Sequence, residues 1–364
     1  MDERKITQVV NKMRPIFDKH MELDNVLDIP KNELEDMRKK VLTKAGLQAF
    51  NFLYFTRRKQ DGLTDKLHNY VNCVVDYQTI YKNRIVRDIY RKSYILFLCA
   101  EYYMKSDEVI HFALESLNDK SIYVRNNALK VIRNTGNIDA FIEAYYKISH
   151  GKLYFNNKVI VDFIGSFQGD TQELNKALAI KLTEFSPRFQ KNIIDHFSNR
   201  KINDYSHEVL TLIMKTNDKE VVVAGIKYFG NIYNQDAYKF IVKMFDSEDY
   251  EIRAVCARTI ALYPCEETIL LLKKYITDPN WFVRYNCAFT LLLLEQENVF
   301  NEESPVGEII RGNDHFAKEI MIYTLYSQGL INSENIQERL ATLQVEDKKE
   351  EDTLNEFRKN HPVY

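Results

Sequence analysis

Glycine and proline are scarce in this chain, at 11 and 7 of 364 residues. So few helix breakers point to long helices joined by short turns. An excess of one charge is also lacking, since 50 basic residues face 52 acidic ones for a formal net charge of −2. That balance argues against a general nucleic-acid binder, whose affinity rests on surplus Lys and Arg set against phosphates. The five cysteines (Cys73, Cys99, Cys256, Cys265 and Cys287) are odd in number and contain no C-x-x-C pair. Packing accounts for them better than metal or redox chemistry, and a reducing compartment follows as the default. No apolar run reaches the ~18 residues of a membrane span, and the polar start MDERKITQVV is no signal peptide. The chain is therefore expected to be soluble and cytoplasmic.

Signatures of chemistry are missing too. There is no phosphate-binding glycine-rich loop, no H-E-x-x-H and no G-x-S-x-G. The eight histidines (His20, His68, His111, His150, His196, His207, His315 and His361) stand without metal-ligand spacing. The expectation is a protein that is not an enzyme, with no catalytic residue, cofactor or metal.

What the chain does have is a recurring phrase. Ile252-Arg253 is followed by Cys256 and Ile260, Val283-Arg284 by Cys287 and Leu291, and Val124-Arg125 by Ala128 and Ile132. With the Val or Ile of each pair as position zero, phases fall at Tyr90, Val124, Asn157, Phe189, Val221, Ile252, Val283 and Phe316, spaced 31 to 34 residues apart. Asn157 and Phe189 are placed mainly by that spacing. Apolar residues at zero, +4 and +8 form one stripe of a helix. A second amphipathic stretch precedes each, as in Val109–Leu117 or Thr268–Tyr275, across a short polar turn such as Asn118-Asp119-Lys120-Ser121. Each unit thus reads as an antiparallel helical hairpin that buries its apolar face only by stacking on its neighbours.

The pattern Asp-x-x-x-x-Val-Arg-x-x-Ala-x-x-x-Leu resembles the HEAT repeat, an armadillo-like motif. Asp119/Val124-Arg125/Ala128 matches it throughout; the Val221 unit departs, with Val222 for Arg and Gly225 for Ala. The resemblance implies an all-α, right-handed α-solenoid of about seven to eight hairpins. Its expected organisation is an N-terminal helical capping region at 1–82, the repeat array at 83–330 and a charged helix or tail at 331–364. A narrower resemblance lies in Pro279–Asn286 and Gly312–Glu319. These stretches look like the end of a group of bacterial HEAT-repeat proteins that often carry an N-terminal membrane helix and are often encoded beside a membrane-bound glycosyltransferase. By that resemblance the chain is a soluble member or one whose anchor precedes Met1, and it acts at the inner face of the membrane.

Candidate sites follow from the repeat. The motif arginines (Arg125, Arg253 and Arg284) recur with the repeat itself, so a hydrogen-bonded ladder between units explains them better than an anionic ligand. HEAT geometry leaves +2, +3, +6 and +10 of the second helix exposed. In the Val124 and Phe189 units those positions are polar (Asn126, Asn127, Lys130, Asn134; Lys191, Asn192, Asp195, Asn199). The next three units turn apolar, and a protein-binding groove is expected at Val223, Ala254, Val255, Arg258, Leu262, Tyr285, Asn286, Phe289 and Leu293. A C-terminal segment folded back over that groove is the competing reading. Trp281, the only Trp, is assigned to packing, and Asp314 to an N-cap. Arg84, Arg87 and Arg91, flanked by Lys82 and Lys92, form one basic helix face that reads as solvated. The expected function is a non-enzymatic scaffold that grips a protein partner, with a membrane glycosyltransferase or polysaccharide machinery implied by the resemblance. The alternatives are a HEAT-like enzyme of the DNA glycosylase type or a chromophore lyase.

Overall fold

The computed structural model describes residues 3–62, 64–82, 88–295, 299–301, 303–332 and 334–341. Among these residues the secondary structure is helical throughout, with no strand. Two compact units divide the chain, Met1–Leu178 and Ala179–Tyr364. The division falls inside the stretch read as one repeat array.

The first unit holds α1 (Glu3–Glu22), α2 (Lys31–Val41), α3 (Lys44–Asp61), α4 (Asp65–Val74), α5 (Tyr77–Lys82), α6 (Asp88–Glu101), α7 (Asp107–Ser116), α8 (Ile122–Thr135), α9 (Ile138–His150) and α10 (Asn157–Gly165), with α11 (Thr171–Ile180) at its edge. Aromatic rings fill its N-terminal half. Phe50 of α3 meets Phe17 of α1 edge-on at 6.0 Å and lies 6.2 Å from Tyr70 of α4, and all three are buried. Edge-to-face rings add to the area they bury, which suits a core made from few, large side chains. The buried His20 bonds Tyr70 at 2.9 Å and Glu33 at 3.0 Å, so no polar atom of that ring is stranded. From α3, Tyr54 and Asn51 reach α6, the former donating to the Glu101 carbonyl at 2.9 Å. Helix α3 is thereby tied to α6.

The second unit holds α12 (Pro187–Asn199), α13 (Ser206–Lys215), α14 (Lys219–Phe229), α15 (Gln235–Met244), α16 (Tyr250–Thr259), α17 (Glu266–Tyr275), α18 (Trp281–Glu295), α19 (Pro305–Arg311), α20 (His315–Ser327) and α21 (Ile336–Ala341). Helices α12, α14, α16, α18 and α20 pack each on the next, while α13, α15, α17 and α19 each lie against the helix that follows. These are the hairpins expected from the sequence. Side-chain caps start them: Asp218 accepts from Val221 N at 3.1 Å, Asp249 from Glu251 N at 2.8 Å and Asp314 from Ala317 N at 2.8 Å.

The eight phase residues all fall in the first turn of an α-helix. Val124, Phe189, Val221, Ile252 and Val283 are buried as a position zero must be. Two terminal phases need correction. Tyr90 is 64% exposed and Phe316 is 59% exposed. The buried stripe of α20 is instead Ala317, Met321 and Leu325, and that of α6 contains Ile95 and Cys99, so both zeros move one residue later, to Ala317 and Arg91. Asn157 also points outward.

Small residues at +4 let adjacent elements close in. Ala128, Cys256 and Cys287 are fully buried there, and burial raises both thiols far above their ordinary value. The departure at Gly225 has a cause in α13: a Cβ on Gly225 would collide with Cγ2 of Ile213. Helix α8 stops at Gly136, whose φ of 69° is left-handed, against Gly169.

Hydrogen bonds between neighbouring second helices fix their register. Asn127 Nδ2 donates to Ser93 O at 3.0 Å and Asn286 Nδ2 to Ala254 O at 3.1 Å, each from +3 to the +2 carbonyl of the preceding unit. Thr259 donates to Ile226 O at 3.3 Å and Thr290 to Ala257 O at 2.7 Å, each from +7 to +5. Asn134 donates to Ala100 O at 2.9 Å and Asn231 to Ser198 Oγ at 2.9 Å, each from +10 to +9. Such carbonyls already accept a helical N–H, so their second lone pair holds the next unit. Asn127 and Asn134, expected to line a wet groove, are inter-helix ties instead.

The motif arginines act locally first. Arg125, Arg253 and Arg284 each donate Nη1 to two carbonyls of the turn just before their helix, at Asp119 and Lys120, Ser247 and Glu248, and Asp278 and Pro279. Each then meets the next unit. Arg253 forks onto both Asp278 oxygens at 2.8 and 3.0 Å, Arg284 lies over the Phe316 ring, and Arg125 lies over Phe155. Hydrogen bonds between units come from Arg253 to the Asp278 carboxylate and from Arg125 Nη2 to the Tyr154 carbonyl at 3.2 Å, whereas Arg284 meets the next unit through a ring.

Candidate functional site

The outward positions of the second helices in the second unit are best followed along the +6 column. It runs Lys227 on α14, Arg258 on α16, Phe289 on α18 and, with the corrected zero at Ala317, Tyr323 on α20. Lys227 and Arg258 are exposed, and Phe289 and Tyr323 are half-buried. The Arg258 guanidinium lies over the Phe289 ring, its carbon 3.5 Å from the centroid. Burial against that ring lowers its pKa from the ordinary arginine value, opposed by Tyr285. Neither Lys227 nor Arg258 has an ion-pair partner among the described residues.

One turn away, Tyr285 at +2 stacks on Trp281 at 5.1 Å with ring planes 6° apart. Tyr285 also sits 6.3 Å from Phe289, and both Trp281 and Tyr285 meet Tyr323 edge-on, at 5.9 and 6.1 Å. Four aromatic rings and one guanidinium thus form a continuous, half-exposed strip across α16, α18 and α20. The spacing of Trp281, Tyr285 and Phe289 at i, i+4 and i+8 puts them on one helix face.

Of the expected groove residues, the structure brings together Arg258, Tyr285 and Phe289. Leu293, 44% exposed, lies one turn beyond Phe289 on α18, and Val223, Val255 and Leu262 are half-buried. Two expectations are corrected. Ala254 is only 6% exposed, with Asn286 of the next second helix bonded to its carbonyl. Asn286 turns its side chain to the Ala254 carbonyl and belongs to the helix seam. Position +3 is therefore an inter-helix position rather than a groove position.

Trp281 and Tyr323 were missed. Trp281 could have been found from its i, i+4 spacing to Tyr285. Tyr323 was hidden by the one-residue error at Phe316, which put the buried Ile322 in the +6 place. The first unit has an aromatic surface of its own that the repeat pattern also concealed. Tyr90, Tyr94 and Phe97 of α6 with Tyr123 of α8 line a groove of about 830 Å³ beside Ser93, Ser121 and Asn127. Among the described residues its lining carries no charge.

The basic face anticipated at Arg84, Arg87 and Arg91 is only partly within the described residues, since Arg84 and Arg87 lie outside them. Arg91 donates to the Tyr81 carbonyl, and Lys92 pairs with Asp119 at 3.1 Å. The tail at 346–364 also lies outside the described residues. Among those described, no helix is long and apolar enough to cross a membrane, and no group of three or more His, Cys, Asp or Glu is placed to hold a metal.

The hairpins and their tied second helices define an all-helical protein with a HEAT-like repeat fold. The sequence matches no protein-family model and no curated protein. Among solved structures it is similar to an engineered protein, at 13% identity and a TM-score of 0.37, over 90% of this chain and 97% of that one. It is also similar to Kap95p, solved with RanGDP, at 12% identity and a TM-score of 0.36, over 92% of this chain. This chain spans 47% of the Kap95p structure's length.

Proposed function

We propose that the chain is a non-enzymatic scaffold that binds a protein partner through the Arg258–Phe289–Tyr285–Trp281–Tyr323 strip. The observation that carries this is the guanidinium stacked at 3.5 Å on a half-exposed ring that is continuous with three more rings. Trp, Tyr and Arg on rigid helices are the residues that dominate binding energy when a partner excludes water from them. Helices α16 and α18 are tied to each other by Asn286 and Thr290, so little ordering cost remains there at the moment of binding.

The partner to test first comes from the resemblance of Pro279–Asn286 and Gly312–Glu319: a membrane-bound glycosyltransferase met on its cytoplasmic side. The full chain carrying Tyr285→Glu and Phe289→Glu is compared with the native chain for co-purification with that enzyme after crosslinking in the host. Tyr123→Glu in the first unit serves as a surface control. Capture lost in the double variant and kept in the control is expected, with unchanged helical circular dichroism in both. Undiminished capture by a folded double variant removes the strip from the function.

A further inference from the structure

The +6 column is asymmetric along its length, and the asymmetry specifies its occupant. Two cations occupy the α14–α16 end and two aromatics the α18–α20 end. One helix earlier, on α12, the same column offers Asp195, but Lys191 neutralises it at 2.8 Å. The motif arginines of the same helices are committed, Arg253 to Asp278 and Arg284 to the Asp278 and Pro279 carbonyls. Lys219 is likewise committed to Asp249 and Glu251. Lys227 and Arg258 alone on this column are exposed with no carboxylate among the described residues.

Resting on the docking reading above, we infer that the partner segment is polarised along its length, with carboxylates at one end seated on Lys227 and Arg258 and apolar or aromatic side chains at the other end covering Phe289, Tyr285 and Tyr323. A guanidinium whose carbon is held over a ring still presents N–H groups at its rim, which can donate two hydrogen bonds to one carboxylate. The ring beneath it excludes water from one face and strengthens that contact. With second helices about 9 Å apart, the column from Lys227 to Tyr323 covers about 27 Å, the length of an α-helix of about 18 residues. A uniformly acidic segment would leave the aromatic end uncovered, and a uniformly apolar one would bury two unpaired cations.

The test uses synthetic fluorescein-labelled peptides of about 18 residues, with one half Glu-rich and the other Leu- and Phe-rich, made in both orders. Counterparts carry Gln or Lys in place of every Glu, and all are titrated against the full chain by fluorescence anisotropy. One order of the Glu peptide is expected to bind roughly tenfold more tightly than its Gln counterpart, and the Lys peptide most weakly. Lys227→Gln with Arg258→Gln erases the Glu-over-Gln preference, while Phe289→Ala weakens both peptides alike. Equal affinity for the Glu and Gln peptides, or a preference that survives in the double variant, overturns the inference. If Phe289→Ala still weakens both peptides in that case, the docking reading stands without it. If no peptide binds, or binding ignores Phe289→Ala, both fall together. Displacement of the Glu peptide by oligo-dT at equal affinity also overturns it, assigning the cations to nucleic acid.

Discussion

The N-terminal half of the first unit and the C-terminal half of the second use aromatic side chains in opposite ways. Around α1, α3 and α4 the rings of Phe17, Phe50, Tyr54 and Tyr70 are fully buried and meet one another in the core. Around α16, α18 and α20 the buried positions go to aliphatics and to the small Cys256, Ala257, Cys287, Ala288 and Ala317, and the rings of Trp281, Tyr285, Phe289 and Tyr323 stand half-exposed. Close approach of second helices needs small residues at the seam, and close approach is what brings the Asn and Thr ties within reach. Aromatic residues displaced from such a seam collect on the outward face, where they cost stability little and offer area to a partner.

The sharpest way to break this contrast is to truncate one ring of each kind. Phe50→Ala should destabilise by about 3–5 kcal/mol, because it empties a closed aromatic core. Phe289→Ala should cost no more than about 1 kcal/mol and act on binding instead. Chemical denaturation of both variants decides it, and comparable losses would make the strip a piece of core. Next in size, Asp278→Asn removes the counter-charge of Arg253 at a site where the two side chains are only 4% and 13% exposed. A loss of about 3 kcal/mol is expected by the same measurement, with no parallel in the first unit, where Arg125 has a ring in place of a carboxylate.

A smaller effect tests the seam itself. Gly225→Ala gains about 1 kcal/mol of helix propensity but forces Ile213 aside at about 1–3 kcal/mol, so the net is a mild destabilisation. Ile213→Ala should then cost clearly less in the Gly225→Ala background than in the native chain, and strict additivity in thermal melts would contradict the packing account. The smallest effect is ionic and common to both units. Lys92 bridges to Asp119 in the first, and Lys219 to Asp249 in the second. Lys219, helped by the Glu251 N–H, holds the Asp249 carboxyl below its ordinary range. A depressed carboxylate stabilises the fold above its unfolded value and loses that contribution as pH falls through the lower folded value. Lys219→Met should therefore lower the melting temperature slightly at neutral pH, with the gap to the native chain closing under acid.

The repeat was legible because burial at zero, +4 and +8 leaves a hydrophobic period that no single substitution hides. Val124, Val221, Ile252 and Val283 gave it directly. The motif arginine was legible as structural, since its partners are the carbonyls of its own turn, which every unit supplies. What the period could not supply was a zero where the first apolar residue of a helix is solvent-facing, as Tyr90 and Phe316 are. It also could not separate +2 from +3: these lie about 100° apart on the helix wheel, one facing solvent and the other a neighbouring carbonyl, and the apolar stripe at zero, +4 and +8 marks neither. Arg258, Tyr285 and Phe289 survived that ambiguity because their bulk holds them at the surface, whereas Ala254 and Asn286 sank into the seam.

The ties from Asn127, Asn286, Thr259 and Thr290 work like the teeth of a rack, each engaging one carbonyl of the preceding helix. A single residue inserted midway along α16 or α18 would rotate every later tooth by about 100° and disengage it, whereas adding or removing a complete hairpin leaves the teeth meshed. Within their second helices, chains of this design can therefore tolerate no single-residue insertion, while whole hairpins can be gained or lost.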